Sequence, residues 1–232
     1  MKKVVSIFKS FLANLIFPKR KDNKSLIICF IGVRGVGKST ISHYLRSHKI
    51  SRHKLGSKSA KQLGEFLNIS IPEKYKKILN FFEKNYPHLG REHLIREIYT
   101  RILNRTFYVD ESILNDYPLE VLKDFYKKEP KLFNDFFKNT LIIWVKDIPE
   151  NILKKVNKRI TEGKERSGYN HNTKEQNLEI IKKSVTEIEE KIKFLKTCTN
   201  IFRIQAQLSI PEKVQYCQKA INAFEKSISN KN

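Results

Sequence analysis

Hydrophobic residues follow two patterns along the chain: short unbroken apolar runs, and longer stretches with apolar positions three and four apart. The short runs predict strands at Leu26 to Ile31, Thr106 to Asp110, Leu141 to Val145 and Asn200 to Ala206. In the first three of these the apolar residues do not alternate with polar ones, as expected of strands covered on both faces. The longer stretches predict helices over about Lys38 to His48, Pro72 to Asn85, Glu92 to Asn104, Pro118 to Lys128, Lys131 to Lys138, Pro149 to Ile160, Thr173 to Thr197 and Pro211 to Ser227. Strands alternating with helices predict an α/β fold, a parallel β-sheet flanked by helices on both faces. Between His48 and Gly64 the chain is polar and offers only a weak strand near Ile50 to Leu55. Thr161 to Asn172, with Gly163, Lys164, Arg166, Gly168 and His171, has the composition of a basic loop.

The N-terminal stretch has its own character. Val4, Val5, Phe8, Phe11, Leu12, Leu15 and Ile16 recur at helical spacing, with Lys2, Lys3, Ser6, Lys9, Ser10 and Asn14 mostly opposite, so Met1 to Phe17 predicts an amphipathic helix. It is too short and too interrupted by Lys9 to span a bilayer, and no small-residue cleavage site follows it. Phe and Leu flanked by Lys suit an anionic membrane surface touched through residues 1–20. The alternative partners for that face are the domain itself or a second copy in a homodimer. The chain therefore divides into a basic helix over residues 1–22 and one continuous domain over 23–232, with a lid at about 161–172.

Chemistry first appears after the first strand. Gly32-Val33-Arg34-Gly35-Val36-Gly37-Lys38-Ser39-Thr40 fits the Walker A pattern, between a buried strand and a helix. In such a loop the glycines let backbone amides turn inward toward phosphate oxygens, and the helix that follows adds its positive end. Lys38 is then placed for the β- and γ-phosphates of ATP, and the Ser39 hydroxyl for Mg²⁺.

Composition changes this picture little. The chain has 232 residues, a formal net charge of +22, and 40% hydrophobic and 11% aromatic content, values of a globular protein. Its basic residues are mostly Lys, spread along every predicted helix beside many Asn and Ile, a bias typical of an AT-rich genome. No zinc-finger or RNA-recognition signature accompanies the charge, so nucleic acid is not an expected partner. Cys29, Cys198 and Cys217 are far apart and the histidines lack metal-ligand spacing, which fits a reducing cytoplasm, with attachment to the inner face of the membrane if the first helix is an anchor. An Asn-Lys-x-Asp guanine motif and an Asp-x-x-Gly switch are missing where a GTPase of this fold would place them.

With the Walker A loop, the strand ending at Asp110, the apolar strand at Leu141 and the basic helix-to-loop run in this order, the chain resembles the P-loop nucleoside and nucleotide kinases, the thymidylate-kinase-like pattern above all. The resemblance covers about residues 25 to 228. It implies a P-loop NTPase three-layer sandwich, ATP as phosphoryl donor with Mg²⁺, and a small anionic or hydroxyl acceptor. The segment after the central strand of that family is similar to Asp147-Ile148-Pro149-Glu150 followed by Lys155, Arg159, Lys164 and Arg166. The family's last strand and adenine-contacting loop look similar to Ile201 to Leu208, which implies Ala206 at the base, before Ile210-Pro211-Glu212 opens the final helix. Two departures leave the acceptor unnamed: Glu111, not arginine, follows Asp110, and no Arg-Glu-Pro segment lies between Ile50 and Glu65.

Phosphoryl transfer relies on placed cations and a group that receives the acceptor's proton. Asp110 and Glu111, at a strand end beside the loop, are the candidates for Mg²⁺ or for the base. Arg159 and Arg166 rank above their lysine neighbours as lid residues, because a guanidinium binds phosphate in a bidentate manner. Arg96, Arg101 and Arg105 face either an anionic acceptor or, more commonly for their type, solvent. The rival readings are a sugar kinase on the same fold and a membrane-associated nucleotide-binding regulatory ATPase with no small-molecule acceptor.

Overall fold

The computed structural model describes residue 20 and residues 25–47, 57–110, 112–164 and 169–229. The amphipathic helix expected at Met1 to Phe17, the weak strand at Ile50 to Leu55, Glu111 and Arg166 lie outside the described residues.

Among those described, β1 (Leu26–Ile31), β2 (Thr106–Val109), β3 (Thr140–Lys146) and β4 (Asn200–Gln205) form one parallel sheet in the order β2-β1-β3-β4. Central β1 places Cys29 opposite Val109 on one side and opposite Ile142 on the other. All of its residues are buried, which explains the unbroken apolar run: both of its faces must be covered. Edge strand β4 is more open and carries Arg203 and Gln205.

The helices are α1 (Lys38–Ser47), α2 (Ser57–Phe66), α3 (Glu73–Asn85), α4 (Arg91–Ile102), α5 (Ile113–Asp116), α6 (Leu119–Lys128), α7 (Pro130–Phe137), α8 (Pro149–Thr161), α9 (Lys174–Leu195) and α10 (Ile210–Ser229). They form the two outer layers of a sandwich. Leu26, Ile28 and Phe30 share one core with Ile41 of α1, Ile152 and Val156 of α8, and Cys217, Ile221 and Phe224 of α10. Cys29 and Ile31 point the other way, into a core built by α3, α4, α6, α7 and the end of α9. That second core is rich in aromatic contacts; Phe133 alone has ring centroids of Phe125, Phe137, Tyr126 and Phe194 within 6.0 Å.

Helix α2 was not legible from the apolar pattern. Its buried residues are Ala60 and Leu63, and Gly64 replaces a side chain at the contact with α4. A Cβ there would come within 2.2 Å of the Tyr99 ring, so glycine is kept for close approach at the expense of helix propensity.

Arg101 of α4 and Arg105 just beyond it are also placed differently from either sequence expectation, both being buried, whereas Arg96 is partly exposed and paired with Glu92. Arg101 is 9% exposed and stacks on Phe136 at 3.7 Å, with Glu97 Oε2 at 3.0 Å. Its guanidinium also donates to the carbonyls of Phe136 and Glu97, both at 2.8 Å. Glu97 in turn accepts from the Ser112 hydroxyl and from the Ile113 amide. A buried charge needs this full set of partners. The network joins α4 to the start of α5, where Ser112 caps the helix through the Leu114 amide. Arg105 is 2% exposed, in the turn leading into β2.

Candidate functional site

Parallel strands deliver their C-terminal ends to one edge of the sheet, and there the loops after β1, β2 and β3 meet. The first is the Walker A segment. Gly37, with φ 96°, makes the turn that an L side chain would strain, and α1 starts at the next residue. The Ile41 amide bonds to the Gly37 carbonyl, which leaves the earlier first-turn amides directed toward an anion.

Lys38 folds back over this loop. Its Nζ donates to the Gly32 carbonyl at 2.5 Å and the Val33 carbonyl at 3.2 Å. Burial lowers its pKa to about 8 from an ordinary 10.5, and nearby Arg34 acts in the same direction, while Asp110 and Asp116 oppose the shift. The ammonium thus sits in a strongly desolvated place with carbonyl dipoles as its bonded partners among the described residues, and a polyphosphate would supply negative charge.

A cleft of about 740 Å³ opens in front of the loop. Gly32 to Gly35 and Gly37 to Thr40 line it, as do Asp110 from the end of β2 and Arg159 from the last turn of α8. Of the candidate loop residues, Val36 does not reach the cleft; it is 2% exposed and packs in the core beneath. Ala206 is also elsewhere: it is 3% exposed, and its amide donates to the Lys146 carbonyl, extending the β3–β4 ladder. Lys155, read from the sequence as one of the spaced basic residues, pairs with Asp147 at 2.6 Å. Asp147 also accepts from Asn151, from Gln207 and from the Ile148 amide, so it joins the turn after β3 to the turn after β4. Lys164 is exposed and pairs with Glu162 at 2.9 Å.

Several cleft residues carry no sequence motif. Asn115 donates from Nδ2 to the Phe30 carbonyl at 2.9 Å and to the Asp110 carbonyl at 3.3 Å, tying the ends of β1 and β2 together. Asp116 lines the cleft beside it, with its Oδ2 at 2.7 Å from His93 Nδ1. Ser184, Glu187, Ile188 and Lys191 contribute one face of α9. Their spacing of three and four is the signal that would have placed them together. Lys191 is 5% exposed, and its Nζ donates to the carbonyls of Tyr117 at 2.8 Å and Asn115 at 3.3 Å.

Ser39 and Asp110 present a hydroxyl and a carboxylate to the same cleft, oxygen donors of the kind Mg²⁺ takes beside phosphate and water. These residues fit the ion expected of a Walker A site.

A Walker A loop on the central strand of a parallel sheet, with a carboxylate at the end of the neighbouring strand, defines a P-loop nucleotide-binding α/β fold. Solved structures similar to the chain include deoxyadenosine kinase from M. mycoides with bound dCTP, at 17% identity and a TM-score of 0.48, covering 85% of this chain and 100% of that one. A second structure of that kinase, with products dCMP and dCDP, gives 18% identity and a TM-score of 0.45, with 85% and 99% covered. The PezAT chromosomal toxin–antitoxin system of Streptococcus pneumoniae gives 12% identity and a TM-score of 0.38, with 96% and 95% covered. No protein-family model matches the sequence, and comparison with curated proteins gives no match. Likeness this distant says nothing about an acceptor; the fold assignment rests on the strand order and the loop.

Proposed function

We propose that the protein is an ATP-dependent phosphotransferase that moves the γ-phosphoryl group of ATP to a small acceptor. The observation that carries this reading is the convergence of Lys38, Asp110 and Arg159 on one cleft with room beyond the phosphate loop. A loop that only held a nucleotide would not need an arginine and several carboxylates across from it.

The roles follow from charge and position. The first-turn amides of α1 and Lys38 hold the β- and γ-phosphates, and Arg159 neutralises charge that grows on the transferring group. Asp110 is placed to receive the acceptor hydroxyl's proton or to help hold Mg²⁺ with Ser39. Mg²⁺, when bound, would supply charge neutralisation at the phosphates. Glu111 competes with Asp110 for either role, and Arg166 joins Arg159 in the lid, on sequence grounds. The pattern of residues 1–20 supports contact with an anionic membrane surface, which flotation with anionic liposomes before and after their removal tests. No helix among the described residues is long and apolar enough to cross a membrane.

The central test is transfer from γ-labelled ATP to a panel of nucleosides, nucleotides and sugars. Labelled product from wild type and none from Lys38→Ala supports the reading. Binding of ATP without transfer to any member refutes it and favours the regulatory ATPase.

A further inference from the structure

Beyond the phosphate loop the cleft continues into a second recess of about 290 Å³, with Asn115, Asp116, Glu187 and Lys191 common to both. In a chain of net charge +22, this recess has the opposite sign. Asp116 closes α5, Glu120 lies in the first turn of α6, and Glu187 and Glu190 project from α9. Lys191 is the single cation among the described lining residues. Its ammonium is withdrawn into the wall, bonded to the Tyr117 and Asn115 carbonyls.

A second, separate observation concerns the cations that an anionic acceptor would need. None of Arg96, Arg101 and Arg105 lines either recess. Arg101 is enclosed by Glu97 and Phe136, Arg105 is 2% exposed, and Arg96 holds Glu92 at 2.6 Å. Arg34 and Arg159 line the adjoining phosphate-loop cleft, but no guanidinium is among the described lining residues of the recess itself, so a phosphate monoester there would face carboxylates, whereas a protonated amine would find complementary charge.

We propose that this recess is the acceptor subsite and that it selects a hydroxyl compound carrying a protonated amine, such as an amino sugar or amino cyclitol. The substrate role rests on the phosphotransferase reading above. The acceptor oxygen bonds to the γ-phosphorus as the bond from that phosphorus to the β,γ-bridging oxygen breaks. The bridging electron pair leaves with ADP, and the hydroxyl proton passes to a cleft carboxylate. The products are ADP and a phosphomonoester that keeps its amine. The volume suits a single ring, and the continuity with the loop places that ring next to the γ-phosphate.

Three probes on one six-membered carbocycle test the charge preference: 2-deoxystreptamine, with two amines; myo-inositol, neutral; and myo-inositol 1-phosphate, anionic. Calorimetric titration of the full chain without nucleotide is expected to show one-to-one binding of 2-deoxystreptamine at least tenfold tighter than myo-inositol, with the phosphate weakest. Glu120 and Glu190 are exposed and line only the second recess. The double variant Glu120→Gln/Glu190→Gln should therefore lose the tenfold preference and keep thermal protection by Mg·ATP. A phosphate that binds as tightly as the diamine, a diamine no better than inositol, or a variant with the full preference overturns the proposal. Because the titration needs no nucleotide, a diamine that binds without being phosphorylated counts against the phosphotransferase reading alone. Transfer to another acceptor with no amine preference counts against the subsite alone.

Discussion

Replacing Lys38 by Met should stabilise the nucleotide-free protein while removing its response to ATP. The ammonium is held in the folded chain with a pKa of about 8 against an ordinary 10.5, chiefly through burial. That difference corresponds to about 3 kcal/mol against folding with the charge in place. Lys38 keeps partial exposure and donates to the Gly32 and Val33 carbonyls, so solvent screening and those bonds reduce the net cost to about 1–2 kcal/mol. Methionine retains the apolar stem without the charge, and water in the open cleft can reach the two carbonyls. At pH 7 the variant should melt about 3–6 °C above wild type for a domain of this size. The sign follows from proton counting. Between pH 8 and 10.5 the unfolded chain holds more protons at this site than the folded one, so wild-type stability rises with pH there. The variant's advantage is therefore full below pH 8, shrinks through that window and is gone above it. Scanning calorimetry at pH 7.0, 8.5 and 9.5, with and without Mg·ATP, measures both effects. At a hundredfold excess over Kd, ATP stabilises wild type by about 2.7 kcal/mol and should leave the variant nearly unmoved. An equal or lower melting temperature for Lys38→Met at pH 7, or an equal ATP shift in both proteins, refutes the reasoning.

Other perturbations separate chemistry from scaffolding. Arg159→Ala should lower phosphoryl transfer by about 10²–10³, read by single-turnover kinetics, since it removes a cation at the cleft. Arg101→Met should cost about 3–5 kcal/mol in urea unfolding, because Glu97 stays buried with its ion-pair partner gone. Gly64→Val should destabilise by about 1–3 kcal/mol through collision with the Tyr99 ring, and pairing it with Tyr99→Ala should recover part of that loss. Asn115→Ala should cost about 1–2 kcal/mol and weaken transfer more than ATP binding, because the bonds to Phe30 and Asp110 hold the carboxylate end of the cleft against the loop end.

The sheet was legible because β1, β2 and β3 are covered on both sides, so burial left continuous apolar runs there, and the expected bounds of all four strands fall within one residue of the observed ones. The phosphate loop was legible because its chemistry is local: consecutive amides and one lysine suffice. The opposite wall of the cleft was not, since Asp116, Glu120, Glu187 and Glu190 come from three helices and meet only after folding. Arg101 misled because arginine is usually a surface residue; Glu97, four positions earlier on the same helical face, was the sign of a buried pair. The helix at Ser57–Phe66 escaped because small contacts, Ala60 and Gly64 among them, bury it without an apolar stripe.

Asn115 has a consequence for how such a protein can change over time. It joins the wall bearing Asp116 to the ends of β1 and β2 through backbone carbonyls alone, Phe30 and Asp110, and recognises neither side chain. Asp116 still borders the phosphate loop, but Glu120 of α6 lines only the second recess and can be exchanged without touching the site proposed to grip a triphosphate. On the proposed phosphotransferase reading, drift in α6 would retune what is modified while the energy source stays fixed.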